Sequence, residues 1–252
     1  MTIKTISKRI LFYLSVPTCV FCNERIDFDD EGICKKCKIK YENHKTRGCS
    51  KCSKKLSECT CPTQYLAKHS IKRHIKIFRY MDRGDAEPGK HLIYSLKRDN
   101  REDVIEFLSK ELAEAIKSTI DITDTQKFLI TSVPRRKSSI IKYGFNHSEI
   151  LAKSLSKHLK IEYRSLLISN TKHAQKEMIG TERLFNVNFD YKPCVKPNLQ
   201  GKIVFIIDDL VTTGASMSAS AMLIRGLGAR ECIAVSIAVA HNEDYNLINK
   251  KG

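Results

Sequence analysis

The chain has 252 residues, 42% of them hydrophobic, with 44 Lys and Arg against 28 Asp and Glu and a formal net charge of +16 at pH 7. That length and apolar content can bury a core, so a soluble globular protein of one large or two small domains is expected. No apolar run reaches the roughly 20 residues a membrane span requires, and the charge asks for an anionic partner such as nucleic acid, anionic lipid or a phosphorylated small molecule.

At the start of the chain, Ile6, Ile10, Leu11 and Leu14 recur at helical spacing with Lys8 and Arg9 between them. This predicts a short amphipathic helix over 5–16 that packs on its own domain. Its apolar part stops at Pro17 and no small-residue cleavage site precedes Cys19, which argues against a signal peptide and for a cytoplasmic location. Eight of the ten cysteines then fall between Cys19 and Cys61. Sulfur confined to one stretch is a local device, and metal explains it better than a chain-wide disulfide framework.

Cys19-x2-Cys22 followed by Cys34-x2-Cys37 lets two tight turns present four thiolates tetrahedrally to one zinc ion. Cys49-x2-Cys52 followed by Cys59-x-Cys61 has the count for a second, and pairing interleaved between the two sets is also open. Four thiolates leave no coordination position for water, so one or two structural zinc ions are expected. The stretch is poor in apolar residues and could not hold a core without such a staple. Lys35, Lys36, Lys38, Lys40, Lys51, Lys54 and Lys55 decorate it, either as a solvated surface or as an interface. The predicted organisation is an N-terminal helix and zinc-binding module over 1–65 and a second domain over 66–252.

From residue 71 to 80 the chain alternates as a strand would, and a polar turn cluster follows at 82–89. Residues 91–97 and 104–120 read as helices, the second with Val104, Ile105, Leu108, Leu112 and Ile116 at steps of three and four. An apolar strand at 128–133, a helix at 148–159, a strand at 202–207, a helix at 216–227 and a strand at 232–240 complete the series. Strands alternating with helices predict an α/β domain with a parallel sheet covered on both faces. Within it the charge is uneven: residues 127–202 hold 15 Lys and Arg against 5 Asp and Glu.

The sharpest chemical signal is the strand at 203–207 running into Asp208 and Asp209, then Thr212-Thr213-Gly214-Ala215-Ser216 at the start of a helix. Parallel sheets bind ligands at the carboxyl ends of their strands, where the helix N-terminus aims amide N–H groups at a bound anion. Thr and Ser hydroxyls add donors, and Gly214 lets the backbone come close to a phosphate. Paired carboxylates accept hydrogen bonds from the cis hydroxyls of a ribose and hold a Mg²⁺ whose other ligands are diphosphate oxygens. Such a loop binds sugar at one end and phosphate at the other.

The run 208–216 resembles the phosphoribosyl-pyrophosphate (PRPP) signature of type I phosphoribosyltransferases, and nearly the whole chain resembles the ComF competence family. The cysteine cluster, Tyr94-Ser-Leu-Lys97, Ser132-Val-Pro-Arg-Arg-Lys137, Tyr143-Gly-Phe-Asn-His147 and the segment 175–186 carry that second resemblance. It implies a type I phosphoribosyltransferase-like fold behind a zinc module. It implies PRPP binding by Asp208, Asp209, Val211, Thr212, Thr213, Gly214, Ala215 and Ser216, with Mg²⁺ held at the two acids. Pro134, Arg135, Arg136 and Lys137 would grip the diphosphate, as consecutive cations beside a strand end suit a highly anionic ligand. Lys172, Lys176 and Arg183 fall on what would be a covering loop.

Three functions follow from this pattern. The resemblance implies a PRPP-binding protein of natural transformation and DNA uptake, with single-stranded DNA held by basic surface and aromatics such as Tyr143, Phe145 and Phe185. An active phosphoribosyltransferase with an unidentified acceptor is the first alternative. Against ordinary purine salvage, Thr212 stands where enzymes for 6-oxopurines carry an Asp, and no base-binding hood is evident. The second alternative is an adaptor whose zinc module docks a competence helicase or recombination mediator, which would bring the protein to the inner face of the membrane. A homodimer is compatible with each.

Overall fold

The computed structural model describes residues 18–27, 30, 32–46, 48–80, 92–94, 96, 101–170, 189–193 and 198–240. The helix expected at 5–16 lies outside them, and of the one expected at 91–97, residues 92–94 and 96 are helical.

The sheet is built around strand β5 (Ile203–Val211) and strand β6 (Glu231–Ala240). β5 pairs on its other side with β2 (Phe128–Ser132), and β6 with β1 (His74–Tyr80), giving the order β1-β6-β5-β2 with every pair parallel. The central strands are continuous apolar runs because both of their faces are covered. Phe205 and Ile207 join one core cluster while Val204 and Ile206 join another, as the twofold alternation of a strand requires. Helix α3 (Glu102–Thr119) and helix α5 (His147–Leu159) supply side chains to the first cluster. Helix α6 (Ala215–Gly226) and the short helix α2 (Gln64–Lys68) supply the second. The result is the expected α/β architecture, a parallel sheet between helices with a small cysteine-rich module at its N-terminal side.

Helix α3 buries Val104, Ile105, Leu108, Leu112 and Ile116, the residues that predict it. Helix α5 is capped by Asn146, whose side chain accepts from Glu149 N, and stops where Lys160 turns left-handed at φ 55°. Strand β1 differs from its reading. It begins at His74 rather than residue 71, and its first five residues are all buried, Lys76 included. An alternating pattern suggests one wet face, but the cysteine-rich segment covers that face here. Arg73 holds the register by a bidentate pair with Glu231, at 2.8 Å and 2.6 Å, across 158 residues of sequence.

Four elements carry no periodic signal. Helix α1 (Lys35–Lys45) is lysine-rich, and of its described side chains Tyr41 is buried, with Ile33 buried just before it. Helix α4 (Lys137–Tyr143) is seven residues, and β3 (Leu167–Ser169) pairs antiparallel with β4 (Phe189–Tyr191) as a ribbon of three-residue strands.

The cysteine-rich module is not separated from the sheet by a break in packing. Cys19, Val20, Phe21, Ile26, Ile33 and Tyr41 belong to the same cluster as Ile75, Ile77 and the buried face of α3. Tyr41 is its hub, meeting Phe21, Phe78 and Phe107 edge-on at 5.4, 5.3 and 5.4 Å. Its hydroxyl donates to Glu111, which also accepts from Lys45 Nζ at 2.7 Å. Among the described residues, no helix is long and apolar enough to cross a membrane.

Candidate functional site

Strand β5 carries Asp208 and Asp209 within its carboxyl-terminal half and runs on to Val211, so the acids sit on a rigid element rather than in the turn. Thr212 is exposed, and Thr213 accepts from Ala215 N at 3.2 Å. Gly214 then turns left-handed at φ +91° as the N-cap of α6. The glycine cap offers no side-chain acceptor, so beyond the Ala215 amide, which Thr213 Oγ1 takes, the first turn of this twelve-residue helix receives no side-chain bond from its N-cap residue. That is the arrangement an anion needs.

The second wall comes from β2. Its register places Ser132 against Ile207, and Val133 N donates to Ile207 O at 3.0 Å, so the chain leaves β2 beside the two acids. Arg135 reaches back to Asp209 Oδ2 at 3.0 Å, its side chain 19% exposed against 6% for the carboxylate. Arg136 caps α4 and Lys137 begins it, both exposed. Sequence-derived Arg135 therefore converges with Asp208 and Asp209, whereas Arg136 and Lys137 point their charge to solvent at the rim.

Asp208 accepts from Ser148 Oγ and from the Asp209 amide, each at 2.9 Å. Burial, and next the charge of Asp209, push its carboxyl up to about 7, and those two hydrogen bonds only partly oppose the rise. A cation binding there would release the proton. Ser148 is a site residue that the sequence does not announce. The turn at 144–147 delivers it: Gly144 is left-handed at φ 80°, Asn146 caps α5, and buried His147 packs on Phe145 at 4.4 Å.

The cysteines separate into the two sequential sets, Cys19, Cys22, Cys34 and Cys37, and Cys49, Cys52, Cys59 and Cys61. Within each set the sulfurs lie within 4.8 Å of one another, a spacing at which one ion can take all four. Interleaved pairing is thereby excluded. The two leading knuckles repeat one design. Cys19 N donates to Glu24 O and Asn23 N to Cys19 O; Cys49 N donates to Lys54 O and Ser53 N to Cys49 O. Asn23 and Ser53 take the left-handed conformation at φ 62° and 59°. In both, the residue two beyond the first cysteine donates its amide to that sulfur at 3.4 Å.

Burial raises the Cys49 thiol, but amide donation from Lys51 and bonds from Cys59 and Cys52 outweigh it and bring it down to about 6. Burial and the neighbouring thiols push Cys61 up to about 12. Lys76, 5% exposed, extends its ammonium to Cys59 Sγ and Cys59 O at 3.4 Å and to Cys61 O at 2.9 Å. A buried cation against these sulfurs suits a tetrathiolate centre, whose net charge is negative.

The covering-loop residues Lys172, Lys176 and Arg183 lie outside the described residues, as do Phe185, Cys194 and the side chain of Tyr143.

The phosphoribosyl transferase domain family matches residues 146–251. Over 224 residues, 86% of this chain and 94% of the relative, the chain is 27% identical to DNA utilization protein YhgH of Escherichia coli (strain K12). It is 24% identical over 229 residues to Competence protein F of Haemophilus influenzae (strain ATCC 51907 / DSM 11121 / KW20 / Rd), covering 84% and 93% of the two chains. Among solved structures, purine phosphoribosyltransferase from Pyrococcus horikoshii Ot3 aligns at 18% identity over 54% of this chain and 72% of that one, with a TM-score of 0.33. Strand order, the paired acids leading to a glycine-capped helix and the domain match define a protein of the phosphoribosyltransferase fold. A cysteine-rich module whose two sets could each hold a metal ion precedes that domain, and along most of its length the chain is similar to these DNA utilization and competence proteins.

Proposed function

We propose that the chain binds PRPP with Mg²⁺ at the end of β5 and acts in the uptake or use of DNA, holding single strands on its basic surface. One observation carries the first half: two acids in the carboxyl-terminal half of a parallel strand lead into a Thr-Thr-Gly-Ala-Ser turn whose helix starts at a left-handed glycine cap, faced by Arg135. In this reading Asp208 and Asp209 take the ribose hydroxyls and the Mg²⁺, while the amides and hydroxyls of Thr212, Thr213, Gly214, Ala215 and Ser216 take the 5′-phosphate. Val211 sets the turn, and residues 134–137 meet the diphosphate. Lys172, Lys176 and Arg183 close over it.

The names of the relatives, DNA utilization and competence, support the second half. So does the charge between 127 and 202, together with the exposed Lys35, Lys36, Lys38 and Lys40 of α1. We further propose zinc at both cysteine sets, with 1–65 as a module serving 66–252. Thr212, which cannot accept a proton as a carboxylate does, favours ligand binding over turnover of a purine base.

Calorimetry of PRPP with Mg²⁺ on the wild type and on Asp208→Ala/Asp209→Ala tests the site. Binding lost in the variant is expected; equal binding, or none to the wild type, refutes it. Single-strand affinity should fall steeply with salt, by a log–log slope of about −0.7 per phosphate neutralised.

A further inference from the structure

The second cysteine set and the phosphate loop are separated in sequence by about 150 residues, yet one side chain joins them. Leu66 of α2 is fully buried, and a Cβ placed on Gly214 would lie 2.8 Å from its Cδ2 and 3.0 Å from its Cγ. The glycine at the turn of the loop therefore rests on Leu66, at a distance that only a residue without a side chain allows. The same glycine is the N-cap of α6 and fixes where the amides of Ala215 and Ser216 point.

Leu66 is held from both ends. Thr63 caps α2 by accepting from Leu66 N at 3.3 Å, and Ile71 N donates to Leu66 O at 3.0 Å. Arg225 of α6 reaches His69 O at 3.1 Å, so the helix that the loop opens also grips the far end of α2. On the near side only Pro62 stands between Thr63 and Cys61. The segment carrying Cys59 and Cys61 is fixed to β1 by His74 N donating to Thr60 O at 2.8 Å and by the Lys76 ammonium on Cys61 O at 2.9 Å. Lys51 Nζ also donates to Pro62 O at 2.8 Å, tying the start of α2 to the Cys49–Cys52 knuckle, and a metal gathering the sulfurs of Cys59 and Cys61 with those of Cys49 and Cys52 would add a further link between the two.

We infer that Leu66 is a positioning residue of the phosphate loop, through which metal at the second cysteine set and ligand at the loop are thermodynamically coupled. The inference rests on the PRPP and zinc readings above. Metal fixes Cys59 and Cys61, these fix the start of α2, and Leu66 sets the height of Gly214 and of the amides after it. Loss of the metal lets α2 shift, and the loop then has to be ordered at the ligand's expense. Coupling between sites is reciprocal, so PRPP must tighten the metal by the factor by which the metal tightens PRPP.

The test is a zinc competition against a chelator on the wild type, with and without PRPP and Mg²⁺, after calorimetry has established PRPP binding. The equivalent of zinc lost in Cys61→Ser identifies the second set. PRPP is expected to raise retention of that equivalent about fivefold or more, the lower end of usual coupling, and to leave the first set unchanged. Leu66→Ala should weaken PRPP by a similar factor and abolish the effect on zinc, while Leu66→Met, of similar volume, keeps both. Retention indifferent to PRPP in a wild type that binds it, a second set without zinc, or Leu66→Ala binding PRPP like the wild type overturns the inference. Absence of PRPP binding to the wild type instead defeats the underlying reading of the loop. The wild-type measurement needs no variant and decides the matter even where Leu66→Ala fails to fold.

Discussion

Asp208→Asn should make the protein more stable and less able to bind its ligand. The folded structure raises the Asp208 carboxyl from its ordinary 3.8 to about 7, chiefly by burial and then by the charge of Asp209. A raised acid is protonated more readily folded than unfolded, so the stability present below about pH 4 is lost as pH rises through 7. At about 1.4 kcal/mol per unit, ionisation above pH 7 costs about 4 kcal/mol. Asparagine keeps the shape and can still accept from Ser148 Oγ and the Asp209 amide, but carries no charge. Thermal unfolding should place Asp208→Asn above the wild type at pH 8 by about 8–16 °C, taking about 2–4 °C per kcal/mol for a chain of this size. The two curves should converge toward pH 4. A variant no more stable at pH 8, or a difference that does not change with pH, would refute this account of the acid pair.

Arg135→Gln removes the 3.0 Å ion pair to the buried Asp209 carboxylate, and urea denaturation should register a loss of stability of about 1–3 kcal/mol. Tyr41→Phe removes the hydroxyl bond to Glu111 without changing the aromatic cluster, and should cost about 1–2 kcal/mol in the same assay. Native mass spectrometry should find two zinc ions per chain. Calorimetry of PRPP and Mg²⁺ below pH 7, run in two buffers of different ionisation enthalpy, should reveal a proton released from Asp208.

Strands β2, β5 and β6 are legible because each carries an apolar run, as at 203–207 before Asp208, β1 because it alternates, and α3 because its apolar residues fall on one stripe. The phosphate loop is legible for a different reason: two acids followed by Thr-Thr-Gly-Ala-Ser have little to do in a turn except bind. Local pattern goes no further. Nothing in the neighbourhood of Ser148 or Leu66 marks them, since each acquires its role from a partner about 60 or 150 residues away that only the closed sheet brings near. Lys76 reads as a surface residue of an alternating strand. It is buried because the chain before it folds back over β1, a fact about tertiary covering that periodicity does not contain.

The order β1-β6-β5-β2 also governs how the chain can fold as it is made. Among the described residues strand β1 has a single neighbour, β6, whose residues emerge from the ribosome more than 150 positions later. Until then its apolar edge has no partner, and long-range parallel pairing is slow and exposed to aggregation. The cysteine-rich segment precedes β1 and packs on its face, so with metal bound it could bury apolar side chains of β1 while the edge that pairs with β6 is still open. Supply of metal during synthesis would then govern how much protein escapes aggregation, apart from any effect on the finished molecule.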